Sequence, residues 1–209
     1  EHRRRVRRGR VPAHLRGSIL ALGNFDGFHA GHQAVVAHAA RWAKDESRPL
    51  IVATFDPHPV RLFRPDTPPF RLTTLDQRER LFAGAGADAM LVFHFTPSFA
   101  SKSAPEFVQM LIDEVGAAGI VTGEDFTFGK ERGGSVAALR QLGEPAGLRT
   151  VAIAPVLDAQ GQIISSSRIR EALHSGDCAT ATRLLTRPFA IAGNVQHGDK
   201  VGRTIGFPT

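Results

Sequence analysis

Short runs of β-branched and aliphatic residues alternate along this chain with longer stretches whose apolar positions recur every three or four residues. Ser18–Leu22 is the first short run, and its pattern predicts a strand. Gly31–Asp45 follows with small and apolar residues at mixed i, i+3 and i+4 spacing, which predicts a helix. Leu50–Thr54 is the next predicted strand, ahead of a proline-rich loop over Asp56–Pro69. A helix begins near Thr74, where a hydroxyl is followed three residues later by Gln77 as a capping box requires. Strand Ala89–Phe93, helix Ala104–Val115 and strand Gly119–Thr122 come next. A glycine-rich stretch, Gly123–Gly134, then leads to a helix ending at about Leu142 and to strand Thr150–Ala154. Ser166–His174 and Asp177–Leu185 read as two closing helices. Strands alternating with helices predict an α/β fold, a parallel sheet with helices on both faces.

The pattern changes at Arg187-Pro188. Phe189–Val195 alternates as a strand does, and a glycine-rich run leads on to Thr209. Only 22 residues follow Arg187, too few for a core of their own. They read as the opening of a second domain that this chain does not complete. The expected organisation is a basic arm over residues 1–16, one α/β domain over 17–186, and an incomplete unit over 187–209.

Composition narrows the class. With 42% hydrophobic and 22% charged residues among 209, the body is globular rather than disordered. No apolar run approaches the ~18 residues of a spanning helix, and the basic start lacks the apolar stretch of a secretory signal. A single cysteine, Cys178, excludes a disulfide framework and a cysteine-only metal site. A cytoplasmic protein without membrane partners is expected. The net charge of +6 suggests a nucleic-acid partner, but the first 16 residues hold seven arginines against Glu1 and account for all of it. The remaining 193 residues carry 19 basic and 19 acidic side chains. A basic arm of this kind is expected to be a solvated terminus and gives no reason to expect specific nucleic-acid binding.

Four clusters carry candidate chemistry. Gly23-Asn24-Phe25-Asp26-Gly27-Phe28-His29-Ala30-Gly31-His32 lies directly after the first predicted strand and opens the first helix. Its histidines, three apart, project to one side, and the helix start offers N–H groups and a positive dipole end to an anion. Gly31, without a Cβ, is expected to let a phosphate approach the backbone. Such a cluster suits in-line attack at phosphorus, where charge grows on the equatorial oxygens. Ile164-Ser165-Ser166-Ser167-Arg168-Ile169-Arg170 opens a later helix with three hydroxyls and a guanidinium fork for a polyphosphate. Taken alone it reads equally as an ordinary cap with a solvated basic face; two anion-ready helix starts in one domain favour a nucleotide. Thr54-Phe55-Asp56-Pro57-His58-Pro59 follows the second strand, with Asp56 able to take a polar ligand edge or a metal and Phe63 just beyond. Thr122-Gly123-Glu124-Asp125-Phe126-Thr127-Phe128-Gly129 presents two carboxylates and two aromatic rings on a loop suited to stacking a flat ligand. His14, His38, His94 and His174 show no ligand spacing.

Together and in this order, the four clusters resemble the bacterial bifunctional riboflavin kinase/FAD synthetase family from about Val6 to Thr209. The family pattern has threonine where Ser167 stands and often glycine where Thr186 stands. The resemblance implies an FMN adenylyltransferase domain on a Rossmann-like nucleotidyltransferase sheet, followed by the first strand of a β-barrel riboflavin kinase domain. It implies that ATP and FMN give FAD and pyrophosphate, with Mg²⁺ arriving on ATP. By this resemblance His29, His32 and Arg170 are catalytic, while Gly23, Asn24, Phe25, Gly31, Ser165, Ser166 and Ser167 bind ATP. Asp56, Phe63, Asp125, Phe126 and Phe128 bind the flavin. Thr209 matches a residue that contributes to Mg-ATP binding in the kinase domain, which the full-length protein would contain. The chain as given is expected to lack kinase activity. Two alternatives stay open: nucleotidyl transfer to another phosphate-bearing acceptor, which acceptor competition would separate, and a noncatalytic flavin- or nucleic-acid-binding module. The last would show salt-dependent binding lost with residues 1–10 and no ATP turnover.

Overall fold

A computed structural model of the chain describes residues 4–6, 10–66 and 71–207, with residues 4–6 described as backbone only. Six strands form one parallel sheet: β1 (Arg4–Val6), β2 (Ile19–Leu22), β3 (Leu50–Asp56), β4 (Ala89–His94), β5 (Gly119–Gly123) and β6 (Arg149–Ile153). Their order is β1-β4-β3-β2-β5-β6. From β2 the chain winds outward through β3 to β4, then returns to the other side of β2 for β5 and β6. The gap between β2 and β5 is therefore the switch point, where open α/β sheets bind ligands beyond the strand carboxyl ends. β1 was expected to belong to a free arm; instead Arg4–Val6 pair in parallel with Ala89–Leu91 at the sheet edge. Backbone pairing to an open edge does not depend on the charge of the side chains.

Alternation along the buried strands builds two cores. Ile19, Ala21 and Val52 face α1 (Ala30–Asp45) and α3 (Leu75–Gly84), packing with Val35, Val36, Ala39 and Phe82. Leu20, Leu22 and Ile51 face α5 (Ala104–Met110) and α6 (Val136–Gly143), packing with Phe107, Leu111 and Leu139. Past Met110 the predicted helix continues to Val115 as a π-helical turn. A third cluster lies between α7 (Ser166–His174) and α8 (Cys178–Leu185), where Ile169, Ala181, Leu184 and Leu185 meet Leu72. The capping box at Thr74 forms as expected, with Thr74 N donating to Gln77 Oε1 at 2.8 Å. The proline-rich loop contains α2 (Pro59–Phe63), capped by His58, and the segment after β4 contains α4 (Pro97–Ala100). Both begin with a proline at N1, which such short turns tolerate.

The strand expected at Phe189–Val195 does not form. Residues 188–200 have no regular structure, Val195 is 98% exposed, and a one-turn helix α9 (Val201–Thr204) follows. Alternation can form a strand only if an edge is present to receive its hydrogen bonds, and no strand among the described residues lies beside this segment. Among the described residues no helix is long and apolar enough to cross a membrane.

Gly119 on β5 meets α1 at its closest approach. A Cβ there would stand 2.3 Å from Trp42 Cη2. Gly119→Ala should therefore destabilise the fold by about 1–3 kcal/mol through overpacking. Adding Trp42→Phe should return part of that loss, giving clear non-additivity in urea unfolding.

Candidate active site

The chain leaving β2 is pinned from both neighbouring strands. Thr54 Oγ1 on β3 donates to Asn24 O at 2.6 Å, and Thr122 Oγ1 on β5 donates to Leu22 O at 2.7 Å. The following turn carries Asp26, 2% exposed, whose carboxylate accepts from Leu72 N at 3.1 Å and Thr73 N at 3.0 Å. Arg78 Nη2 reaches Asp26 Oδ1 at 3.0 Å, and Arg170 Nη2 reaches Oδ2 at 2.7 Å. Burial alone would raise the pKa of Asp26, but Arg78, the two amides and Arg170 outweigh it and hold the group below its ordinary value. Arg78 also donates to Thr73 Oγ1 and Thr54 Oγ1, each at 3.0 Å. This network was not legible as a site. Its one sequence signal is Arg78 itself, a charge at i+3 from Leu75 and four before Phe82, on the apolar face of α3.

Asp26 joins the two predicted phosphate-ready helix starts. Ser166 Oγ donates to Asp26 O at 2.8 Å while Arg170, one turn later on α7, binds the carboxylate. Ser165 caps α7 by accepting from Arg168 N at 3.3 Å, and Ser167 is exposed. Arg168 faces away, binding Asp158 at 2.8 Å and Ile163 O at 2.8 Å.

His29 caps α1 through Nδ1, which accepts from Gly31 N at 3.0 Å and His32 N at 3.3 Å. That acceptor role leaves the proton of neutral His29 on Nε2. The rings of His29 and His32 stack at 3.6 Å between centroids, 17° apart. Gly31 differs from its expected role: a Cβ there would meet His29 Cε1 at 2.9 Å, so the missing side chain makes room for the imidazole. The pKa of His29 is lowered to about 4, first by burial and then by Arg170 and Arg187, against the raising effect of the histidine's own backbone hydrogen bond and of Asp26. Burial, then His29, Arg78 and Arg170, hold His32 well below its ordinary value. Burial also brings His58 to about 4, its Nδ1 accepting from Val60 N at 3.2 Å. All three imidazoles are neutral at pH 7. Asn24 Oδ1 and His32 Nδ1 are buried without a hydrogen-bond partner among the described residues, a deficit of about 1–3 kcal/mol each that a ligand could relieve.

Some expected contacts are redirected. The Phe25 ring is 2% exposed, packed edge-on to His32 and Phe82, so only its backbone can meet a ligand. Gly23 follows Leu22 in the same turn. Asp56 is paired with Arg71 at 2.9 Å. Phe63 is 66% exposed, Phe126 is half-buried, Phe128 is 6% exposed and Asp125 is exposed. The aromatic residues form a continuous series at the sheet's carboxyl edge: Phe63 to Phe95 at 6.2 Å, Phe95 to Phe99 at 5.7 Å, Phe99 to Phe107 at 6.1 Å, Phe107 to Phe128 at 4.9 Å and Phe128 to Phe126 at 5.9 Å. Phe128 thus supports Phe126 from within the core. Thr209 lies outside the described residues. Among the described residues no three histidine, cysteine or carboxylate groups gather as a metal cage.

A parallel sheet with its switch point at β2 and β5, and two helix starts meeting there around buried histidines and an arginine, define a Rossmann-like nucleotidyltransferase fold. The FAD synthetase family model matches residues 11–168, and the riboflavin kinase model matches residues 185–209. The chain belongs to the FAD synthetase family. It is 40% identical over 95% of its length to a bifunctional riboflavin kinase/FMN adenylyltransferase of Pseudomonas fluorescens, covering 63% of that protein. It is 38% identical over 92% of its length to the protein of that description from Escherichia coli K12, covering 62% of it. For the Bacillus subtilis protein the figures are 40%, 92% and 60%. The chain thus spans less than two thirds of these relatives. A solved structure described as a macrolide-efflux protein from Streptococcus pneumoniae matches at TM-score 0.83 and 30% identity, over 98% of this chain and 67% of that one.

Two outcomes test this electrostatic arrangement. Asp26→Asn should cost about 3–5 kcal/mol in urea unfolding, since it leaves buried Arg78 without its counter-charge; Asp56→Asn, at a more exposed pair, should change stability by less than about 1 kcal/mol. The buried histidines bind fewer protons folded than unfolded between pH 6.5 and about 4. Stability is therefore complete above pH 6.5 and falls on acidification through that window, by about 1 kcal/mol per pH unit for each of His29 and His58. Thermal melts of His29→Asn across this range should show a shallower decline.

Proposed function

We propose that this chain is an FMN adenylyltransferase, transferring AMP from ATP to FMN to give FAD and pyrophosphate. The observation that carries this reading is the fastening of Ser166 and Arg170 on α7 to the turn before His29 and His32, through the single residue Asp26. Donors from two helices are thereby brought to one place without relying on loops to close. The names of the relatives and the match to the FAD synthetase model support the choice of acceptor.

In this reading an ionised oxygen of the FMN phosphate attacks the α-phosphorus of ATP, and the bond to the pyrophosphate oxygen breaks. A phosphate monoester is already largely anionic at pH 7, so the attack needs no base. Neutral imidazoles then serve as hydrogen-bond donors: His29 through Nε2–H and His32 beside it meet charge developing on the transferring phosphoryl group. Arg170 and the hydroxyls of Ser165 and Ser167 hold the departing pyrophosphate, while Ser166, its hydroxyl proton given to Asp26 O, keeps the start of α7 against the ATP site. Gly23, Asn24, Phe25 and Gly31 line the ATP site, Phe25 through its backbone. The orphaned Asn24 Oδ1 is suited to accept from the adenine amino group. Phe63 and Phe126 stack the flavin, backed by Phe128, with Asp56 and Asp125 orienting its polar edge. Magnesium enters as the ATP complex, a substrate held mainly by phosphates.

We further propose one α/β domain that ends at residue 186 and takes in β1 from the expected arm, a second unit over 187–209, and a riboflavin kinase activity in the whole protein. The relatives' names and the match at residues 185–209 support the kinase proposal.

A chromatographic assay should find FAD formed from FMN and ATP with magnesium, and far less without it. His32→Ala should lower kcat by about 100-fold or more with the fold retained. Wild-type rates in that variant, or preference for another phosphate acceptor, would reject the assignment. The 209-residue chain should not phosphorylate riboflavin.

A further inference from the structure

The turn that delivers His29 is held in an unfavourable backbone conformation. Phe25 and Phe28 have φ of 52° and 47°, and Gly27 lies between at 89°. Left-handed backbone costs a residue with a side chain about 1–2 kcal/mol, so the turn persists only where its surroundings over-determine it. On its amide side, Gly27 N donates to Thr73 Oγ1 at 3.0 Å. On its carbonyl side the partner comes from beyond α8. Arg187 Nη2 donates to Gly27 O, and Nη1 donates to Phe28 O at 3.0 Å and to Leu185 O at 3.1 Å. Gln33 Nε2, one turn into α1, reaches Phe28 O at 3.0 Å and Thr186 Oγ1 at 2.9 Å. Thr186 itself has φ of 65°, and this left-handed cap turns the chain so that Arg187 returns across the motif.

We propose that Arg187 is a positioning residue for adenylyl transfer: its fork holds the two carbonyls preceding His29 and so sets the imidazole on His32. Phe28 O belongs to the peptide that joins Phe28 to His29, so the plane of that peptide controls where the ring projects. A planar guanidinium can hold two adjacent carbonyls at once, as a lysine ammonium cannot in the same geometry. Arg187 is also the first residue of the proposed second unit. The geometry of the adenylyl site is thereby tied to the segment that leads into that unit, and this inference rests on the FMN adenylyltransferase reading.

The test compares Arg187→Met, Arg187→Lys and the control Arg183→Met, an exposed position on the outer side of α8 whose guanidinium donates to Thr180 Oγ1 and lies near Asp177. Two readouts are taken on the 209-residue chain: steady-state FAD formation, and the two-bond ¹H–¹⁵N imidazole spectrum assigned with His29→Asn. Wild type should show His29 in a single Nε2–H tautomer. Arg187→Met should average that pattern and lower kcat at least tenfold, with KM for FMN within twofold; ethylguanidinium should restore part of the rate. Arg187→Lys should fall between, and Arg183→Met should match wild type. If Arg187→Met does not fold, Arg187→Lys decides by the same two readouts. An unchanged His29 pattern overturns the proposal whatever the rate, as does an unchanged kcat. If wild type forms no FAD but the His29 pattern moves in Arg187→Met, the adenylyltransferase reading fails while the positioning role stands.

Discussion

One carboxylate organises the candidate site. Asp26 sits where the first buried strand becomes a turn, out of reach of water, and its charge is tolerable only because two guanidinium groups and two backbone amides converge on it. The convergence has a structural effect beyond charge balance. Arg78 belongs to α3, the amides to the segment leading into it, and Arg170 to α7, so three parts of the chain meet at one point. Removing an uncompensated buried ion from water is far costlier than ordering the loops around it. The arrangement of the helices around Asp26 follows from that imbalance.

The same packing sets the protonation of the histidines. Imidazoles enclosed beside guanidinium groups lose the charged form, because desolvation and like-charge repulsion act in the same direction. A neutral imidazole keeps an N–H, and donation is what a transferring phosphoryl group needs. The stacked His29 and His32 also explain Gly31. Its missing side chain leaves room for the ring of its neighbour, while the backbone N–H it retains fixes that ring's tautomer. The aromatic series at the sheet edge divides its labour in a similar way. Phe107 and Phe128 are buried and make the inner members rigid, so that the outer rings of Phe63 and Phe126 can be presented without collapsing onto each other.

Strand and helix positions were legible because burial on both faces of a parallel sheet imposes continuous apolar runs, and amphipathic helices impose a period. Local signals were also sufficient at Thr74-x-x-Gln77, where both partners lie within one turn. Failures came where the deciding partner was distant. Phe189–Val195 has a strand's alternation but no neighbouring edge among the described residues, and Arg4–Val6 has an arm's composition but finds one. Phe25, assigned to ATP by resemblance, and Phe128, expected to stack a ligand from its loop, have their rings turned inward by packing against Phe82 and Phe107.

By itself the sequence determined the alternation of strands and helices, the helix caps and the presence of histidines, hydroxyls and an arginine at two helix starts, because each depends on residues a few positions apart. Only the tertiary structure decided that these two starts meet, that Asp26 is the bond between them, and that Arg78 and Arg187 brace the turn from elements 52 and 160 residues away. Their placement is set by the burial of charge and by which carbonyls the folded chain brings within a guanidinium's reach, and neither quantity exists until the sheet is assembled.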